Sequence, residues 1–167
     1  MTISMYQASV PVFVRMLNNL GAILDKGGAH AQARKIDARV LPASRLIADM
    51  FPLSRQVQIA SDHAKGAVAR LAGVEIPKYE DDEQTIEELQ ARIAKTVAFV
   101  EKFTAAEIDG SEEREIVLIM RSGEQRFQGL DYLLGFAIPN FYFHVVTAYD
   151  ILRQNGVEVG KRDFLAG

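Results

Sequence analysis

The sequence predicts an all-α protein, a four-helix bundle with a small β-hairpin inserted before the last helix. Three observations support this prediction. Four long segments repeat apolar residues every three or four positions, helix-stopping residues separate them, and one late segment is rich in β-branched residues and ends in a turn. With 167 residues, 49% of them hydrophobic, the chain suits one compact domain. We therefore expect residues 1–167 to form a single helical bundle domain.

The first two helices are predicted from apolar stripes that end at glycine. The first stripe runs from Ile3 to Leu24, and the pair Gly27 and Gly28 is expected to end that helix. After a less regular stretch closed by a proline, the second helix is predicted from about Leu53 to Leu71, with Gly73 as its stop.

The third helix is predicted from about Asp82 to Phe103, after a polar loop over residues 74–82. Acidic residues are concentrated in that loop, at the amino end of the predicted helix. Carboxylates are favoured there by the helix macrodipole and by the free backbone N–H groups.

The hairpin and the last helix complete the predicted bundle. Residues 114–128 contain EREIVLIM, the turn RSGE with Gly123, and QRFQG, a pattern that is typical of two short antiparallel strands. The fourth helix is predicted from about Leu130 to Asn155, with an interruption at Pro139 and a cap at Asn155 and Gly156.

The composition excludes several classes of function. The formal net charge is −3 and neither sign forms a long block, so nucleic acid is not an expected partner. The chain has no cysteine, which excludes disulfides, thiolate nucleophiles and Cys-ligated zinc. We find neither the pattern of a signal peptide nor an apolar run long enough for a membrane span, and we therefore expect a cytoplasmic protein without a membrane partner.

Three polar residues fall on helix faces that should be buried. A helical wheel places His144 within the apolar arc of the fourth helix, with Asn140 one turn earlier. His63 lies on the flank of the apolar stripe of the second helix, and Asp62 precedes it. Imidazole, amide and carboxylate groups are all possible metal ligands. A buried histidine can equally be satisfied by a backbone carbonyl or by a tyrosine hydroxyl.

The last part of the chain resembles a known superfamily. The segment HVVTAYDILRQNGVEVGKRDFLAG is similar to the last helix and tail of the DinB/YfiT-like superfamily, in which an HxxxH pair precedes an LRQxG segment. DMFPLSRQVQIASD, LAGVEIP, DYLLGFAIPNFYFH and GKRDF are typical of an uncharacterised bacterial branch, a domain of unknown function. The resemblance covers most of the chain.

The resemblance implies a bundle with non-sequential, right-handed helix connections, a homodimer, and a three-histidine site for a divalent metal. It matches His144 to the second histidine of the HxxxH pair, Asn140 to the first and His63 to the remaining one. Because Asn140 stands where the superfamily has histidine, the implied site is degenerate, since an amide oxygen is a weak ligand for zinc or nickel.

We therefore hypothesise a DinB-like bundle with a degenerate pocket for a divalent metal (zinc, nickel or manganese) or a small molecule. The metal ligands would be His63, Asn140 and His144, with Asp62 and Tyr149 as supporting residues. If the site is catalytic, the metal would act as a Lewis acid. One alternative is a non-catalytic dimeric bundle for protein interaction, without cofactor. Another, by analogy with some members of the superfamily, is a thiol-dependent transferase.

Overall fold

Four long helices and a two-stranded hairpin make up most of the structure. The computed structural model describes residues 2–120 and 123–166. In chain order its elements are α1 (Met5–Ala33), α2 (Val40–Ala43), α3 (Leu53–Ala72), α4 (Ile86–Val100), α5 (Ala105–Ile108), β1 (Glu115–Met120), β2 (Gly123–Gln128), α6 (Gly129–Asp131), a π-helix (Tyr132–Ala137), α7 (Ile138–Gln154) and α8 (Lys161–Leu165). The predicted fold class is confirmed.

The long helices do not pack in the order in which they follow one another. Helix α3 lies between α4 and α7 and makes its most extensive contacts with α7, whereas α1 packs mainly on α4. The first two long helices, α1 and α3, contact each other only slightly. The centre of the bundle is apolar, and there the rings of Phe13 and Phe141 meet edge to face with centroids 5.0 Å apart. In this non-sequential arrangement one face of α3 packs against one face of α7.

The glycine pair in α1 does not end the helix, contrary to our prediction. Helix α1 continues through Gly27 and Gly28 to Ala33. A Cβ atom added at Gly27 would lie 3.0 Å from a methyl group of Leu152, and one at Gly28 would lie 3.5 Å from Ile86. The glycines allow neighbouring helices to approach closely, which is a second use of glycine that the sequence pattern does not distinguish from a stop. The stop at Gly73 is confirmed, since its φ of 72° is left-handed.

The third long helix begins later than predicted. Thr85 is its N-cap and forms a capping box with Glu88. Much of the acidic run before it binds basic side chains instead of the helix end: Arg92 of α4 pairs with Asp81 at 3.0 Å and with Glu83 at 2.9 Å. The acidic residues therefore hold the loop 74–85 on the bundle.

The predicted hairpin is present. Strands β1 and β2 are antiparallel, with Glu115 opposite Gln128 and Met120 opposite Gly123. Side chains of β1 alternate, so that Ile116 and Leu118 are buried and the intervening residues are exposed. Residues 121 and 122 of the predicted turn lie outside the described residues. The hairpin packs against the bundle through its buried face.

The fourth helix is continuous but changes its winding near the proline. The chain is helical from Gly129 to Gln154 through α6, the π-helix and α7, and Pro139 is the second residue of α7. A proline lacks an N–H group and its ring collides with the carbonyl four residues earlier, so a local change in winding is expected here. The result is a widened turn that presents Tyr132 and Phe136 beside α3. No helix within the described ranges is long and apolar enough to cross a membrane.

Candidate functional site

Two histidines from different helices lie side by side. His63 of α3 and His144 of α7 have ring centroids 5.9 Å apart and ring planes inclined by 16°. The ring of Phe136, from the π-helix, packs edge-on against His63 with centroids 6.0 Å apart. Both imidazoles are half-buried. The packing of α3 on α7 thus brings together two of the three residues for which the sequence predicts a site.

A glutamine fixes the protonation of His144. The Oε1 atom of Gln56 lies 2.7 Å from Nδ1 of His144, and Nε2 of Gln56 donates to the carbonyl of Phe51 at 3.1 Å. Because the amide nitrogen donates to a carbonyl, the amide oxygen faces the histidine and accepts a hydrogen bond from it. Nδ1 of His144 therefore carries the hydrogen, and Nε2 keeps its lone pair.

Both histidines are neutral at pH 7. Burial lowers the pKa of His63 to about 4, Asp62 acts in the opposite direction, and the positive charge of Arg70 lowers it further. Burial also lowers the pKa of His144 to about 4, with smaller contributions from His63 and Arg55. A neutral imidazole has one unprotonated nitrogen, which can accept a hydrogen bond or bind a metal ion. The pair therefore offers two such nitrogens to a ligand.

An open cleft of about 540 Å³ lies beside His63. It is bounded by α3, by the π-helix and by strand β1. Its apolar lining includes Ile76, Val117, Met120 and Phe136. The polar residues among the described part of its lining are Asp62, His63, Arg70 and Tyr132. An apolar cavity with a few polar groups is the usual form of a small-molecule site.

Asn140 lies one turn before His144 and is half-buried. Its Nδ2 atom donates to the carbonyl of Phe136 at 2.7 Å. This bond gives the Phe136 carbonyl of the π-helix a hydrogen-bond partner and fixes the orientation of the amide. The bond uses one of the two N–H donors of Asn140 and leaves the amide oxygen as the atom that could bind a metal ion.

Comparisons with known proteins identify the family. Residues 5–165 match the profile of a domain of unknown function, DUF1993. The chain belongs to the DUF1993 family. A crystal structure of a DinB family member protein from Shewanella denitrificans is similar to it, with a TM-score of 0.91 and 46% sequence identity over 97% of this chain and 92% of that one. None of the curated proteins matches. This DUF1993 domain is therefore DinB-like, as its sequence predicted.

The two predicted supporting residues of this DUF1993 domain bind other groups. The Asp62 carboxylate accepts hydrogen bonds from Lys65 at 2.9 Å and from Arg92 at 3.0 Å. The negative charge of Asp62 acts on His63 by raising its pKa, against the larger effect of burial. The hydroxyl of Tyr149 points to the carbonyl of Val159 at 3.5 Å, so that it lies against the tail of the DUF1993 domain.

Sequence reasoning missed Gln56 and Arg70. Gln56 precedes His63 by seven residues, or two helical turns, and so lies on the same face of α3; this spacing was the available signal. Arg70 lies seven residues after His63 and donates to the hydroxyl of Tyr132 at 3.0 Å. The partner of His144 is thus the side chain of Gln56, and not the tyrosine hydroxyl or backbone carbonyl that was considered for a buried histidine. Within residues 2–120 and 123–166 of the DUF1993 domain, no cluster of three or more His, Cys, Asp or Glu side chains is arranged to hold a metal ion.

Proposed function

We propose that this protein binds a divalent metal ion or a small molecule at a degenerate pocket formed by His63, Asn140 and His144. The observation that carries the proposal is the 2.7 Å hydrogen bond between Gln56 and Nδ1 of His144. It leaves Nε2 of His144 unprotonated, in a ring that stacks on the ring of His63. Partners of this kind orient histidines that bind metals and raise their basicity.

The chemistry of the donor set fits a weakly held ion. Two neutral imidazoles suit zinc or nickel, and the amide oxygen of Asn140 is a poorer ligand for either, although it is acceptable to manganese. His63 and His144 would hold the ion and Asn140 would add an oxygen. A bound divalent ion would supply Lewis-acid chemistry beside His63, which of the three residues is the one that lines the cleft.

Metal analysis of protein purified without a histidine tag tests this proposal. We expect bound zinc, nickel or manganese, which is lost in His144→Ala and in His63→Ala. His30→Ala is a matched control because His30 lies in the last turn of α1, against Gly156. Metal-free protein whose melting temperature does not respond to added zinc, nickel or manganese would contradict the metal site.

We propose as a second candidate that two copies of the chain associate through the outer face of α7. Phe143 is 56% exposed and Val146, one turn later, is 40% exposed. A two-fold contact places the same apolar residues of both copies against each other. The resemblance to DinB-like bundles, for which dimers are expected, supports a second copy as the occupant of this face. In such a dimer His144 would lie next to the contact, because the ring of Phe143 packs against it.

Sedimentation equilibrium distinguishes this candidate. We expect a dimer for the wild-type protein and a monomer for Phe143→Glu. The control is Val74→Glu, since Val74 is also exposed but follows the end of α3. A monomeric wild-type protein would exclude the dimer and would leave the metal proposal unaffected.

A further inference from the structure

The cleft beside His63 has an apolar body and an unbalanced positive charge. Among the described residues that line it, two are charged, Asp62 and Arg70. The carboxylate of Asp62 is already bridged by Lys65 and by Arg92, whose side chains lie outside the lining of the cleft. Arg70 has no carboxylate within salt-bridge distance among the residues that the structure describes, and its partner is the neutral hydroxyl of Tyr132. The charge that remains for a ligand is therefore positive.

The guanidinium of Arg70 is held in place by its surroundings. It donates from one nitrogen to the Tyr132 hydroxyl at 3.0 Å and lies over the Tyr132 ring, 5.8 Å from its centroid. Tyr132 itself is fully buried, so this anchor cannot move away. On the other side, a Cβ atom added at Gly66 would lie only 2.6 Å from the same guanidinium nitrogen. Because Gly66 has no side chain, the guanidinium of Arg70 can occupy this space.

An arginine held in this way is suited to a carboxylate. A guanidinium has five N–H donors, and the bond to Tyr132 uses one nitrogen, which leaves others for two parallel hydrogen bonds to an anion. Fixing the side chain before the ligand arrives lowers the entropy cost of binding. The remaining lining is mainly apolar, with Ile76, Val117 and Met120 on one side and the ring of Phe136 on another.

We infer that this cleft binds a small organic acid, with its carboxylate on Arg70 and its apolar part between β1 and the π-helix. The inference rests on the proposed function, because it names the class of the small molecule; of the three proposed pocket residues, His63 lines this cleft. The neutral imidazole of His63 would face the bound acid. The acid would also compensate the charge of Arg70, which otherwise opposes a cation at His63.

Binding of hexanoate to metal-stripped protein tests the inference. Hexanamide has the same shape without the charge, and hexylamine has the opposite charge, so the three probes separate charge from apolar contact. We expect hexanoate to bind at least tenfold more tightly than hexanamide, about 1.4 kcal/mol, and hexylamine not to bind. In NMR titrations the amide resonances of Val117, Leu118 and Phe136 should move with hexanoate.

Two variants and a control locate the charge. Arg70→Gln should reduce hexanoate affinity at least tenfold and leave hexanamide affinity unchanged. Gly66→Ala keeps the charge but displaces the guanidinium, so it should also weaken hexanoate binding. This variant tests the inference even if Arg70→Gln fails to fold. Arg55→Gln, on the same helix but outside the cleft, should have no effect. Equal binding of hexanoate and hexanamide, or no binding of hexanoate, or equal hexanoate affinity in Arg70→Gln and wild type would overturn the inference.

Zinc binding measured on the same variants separates the two proposals. Arg70→Gln should retain zinc while losing hexanoate, because Arg70 is not among the proposed metal ligands. Protein that binds hexanoate through Arg70 but no zinc would support the acid site and contradict the metal site. Protein that binds zinc through His63 but not hexanoate would contradict the acid site alone.

Discussion

The Nδ1–H group of His144, on α7, donates a hydrogen bond to Oε1 of Gln56, on α3, at 2.7 Å. The bond crosses the most extensive helix contact of the bundle, and Gln56 is only 1% exposed. A buried amide that is held at both ends keeps the imidazole in one tautomer and one orientation. The packing of the bundle and the chemistry of the candidate site therefore depend on the same residue.

Replacement of Gln56 by leucine should affect both stability and ligand binding. We expect the free energy of unfolding to fall by about 1 to 3 kcal/mol, because Nδ1 of His144 and the Phe51 carbonyl lose their partner. Metal affinity should fall by roughly 10-fold or more, since outer partners of ligating histidines have effects of this size. Urea unfolding and metal titration measure the two effects.

Gln58→Leu is the matched control for Gln56. Gln58 is also buried in α3, but its amide binds Glu83 at 2.9 Å and Arg55 at 3.2 Å. Its replacement should lower stability without changing the nitrogen resonances of His144. Unchanged resonances in Gln56→Leu would show that the glutamine does not select the tautomer.

Stability should decrease when the pH is lowered from about 6.5 to about 4. Burial lowers the pKa of each of His63 and His144 to about 4 from the ordinary value of 6.5. In this range the unfolded chain takes up protons that the folded protein does not, so the folded state loses stability as the pH falls and regains it as the pH rises. One pKa unit corresponds to about 1.4 kcal/mol, and the effect is smaller for side chains that keep contact with solvent.

Urea unfolding at a series of pH values measures this dependence. His63→Gln should flatten it, because one of the two depressed groups is removed. A wild-type free energy of unfolding that does not change between pH 6.5 and pH 4.5 would mean that the two imidazoles are not held neutral.

Asn140→His should strengthen metal binding by about tenfold, or 1.4 kcal/mol. The substitution gives a third imidazole in place of an amide oxygen, which is a weaker ligand for zinc and nickel. Asn155→His is the control: Asn155 also donates to the carbonyl four residues earlier, at 2.7 Å, but at the carboxy-terminal end of α7. Calorimetric titration with zinc should separate the two variants; equal affinities would mean that position 140 does not converge with the histidines.

Gly129 and Gly135 should differ strongly in their tolerance of alanine. A Cβ atom at Gly129 would lie 1.9 Å from the carbonyl oxygen of Ser111, whereas one at Gly135 would meet no atom of the described residues within 4 Å. The clash involves backbone atoms that the hydrogen bond from Leu130 to Glu112 holds nearby. We expect Gly129→Ala to cost about 3 kcal/mol or more and Gly135→Ala to be neutral or stabilising. Comparable melting temperatures would contradict the close approach.

The sequence was sufficient to predict the fold because most of its signals are local. The apolar stripes, the left-handed stop at Gly73 and the alternation of β1 each depend on residues within a few positions of one another. The ends of two helices were wrong for a physical reason. Gly27 serves a contact with a helix more than a hundred residues away, and the acidic loop before α4 pairs with Arg92 rather than with the helix end.

The candidate site was only partly predictable because it is assembled across helices. Periodicity and resemblance selected His63 and His144, and the structure places their rings together. Gln56 escaped notice because a polar residue within an apolar stripe gives no sign of its partner, which is 88 residues away. The proposed role of Arg70 depends on its contact with Tyr132 and on its position beside the hairpin, and these exist only in the folded chain.

The most direct test of the paired histidines is a zinc titration of metal-stripped protein, followed through the side-chain nitrogen resonances of all three histidines. His30, on α1, serves as the internal reference. We predict that the resonances of His63 and His144 move together and stop moving at one equivalent of zinc, while those of His30 stay in place. Movement of only one of the pair, or of none, would contradict a joint site.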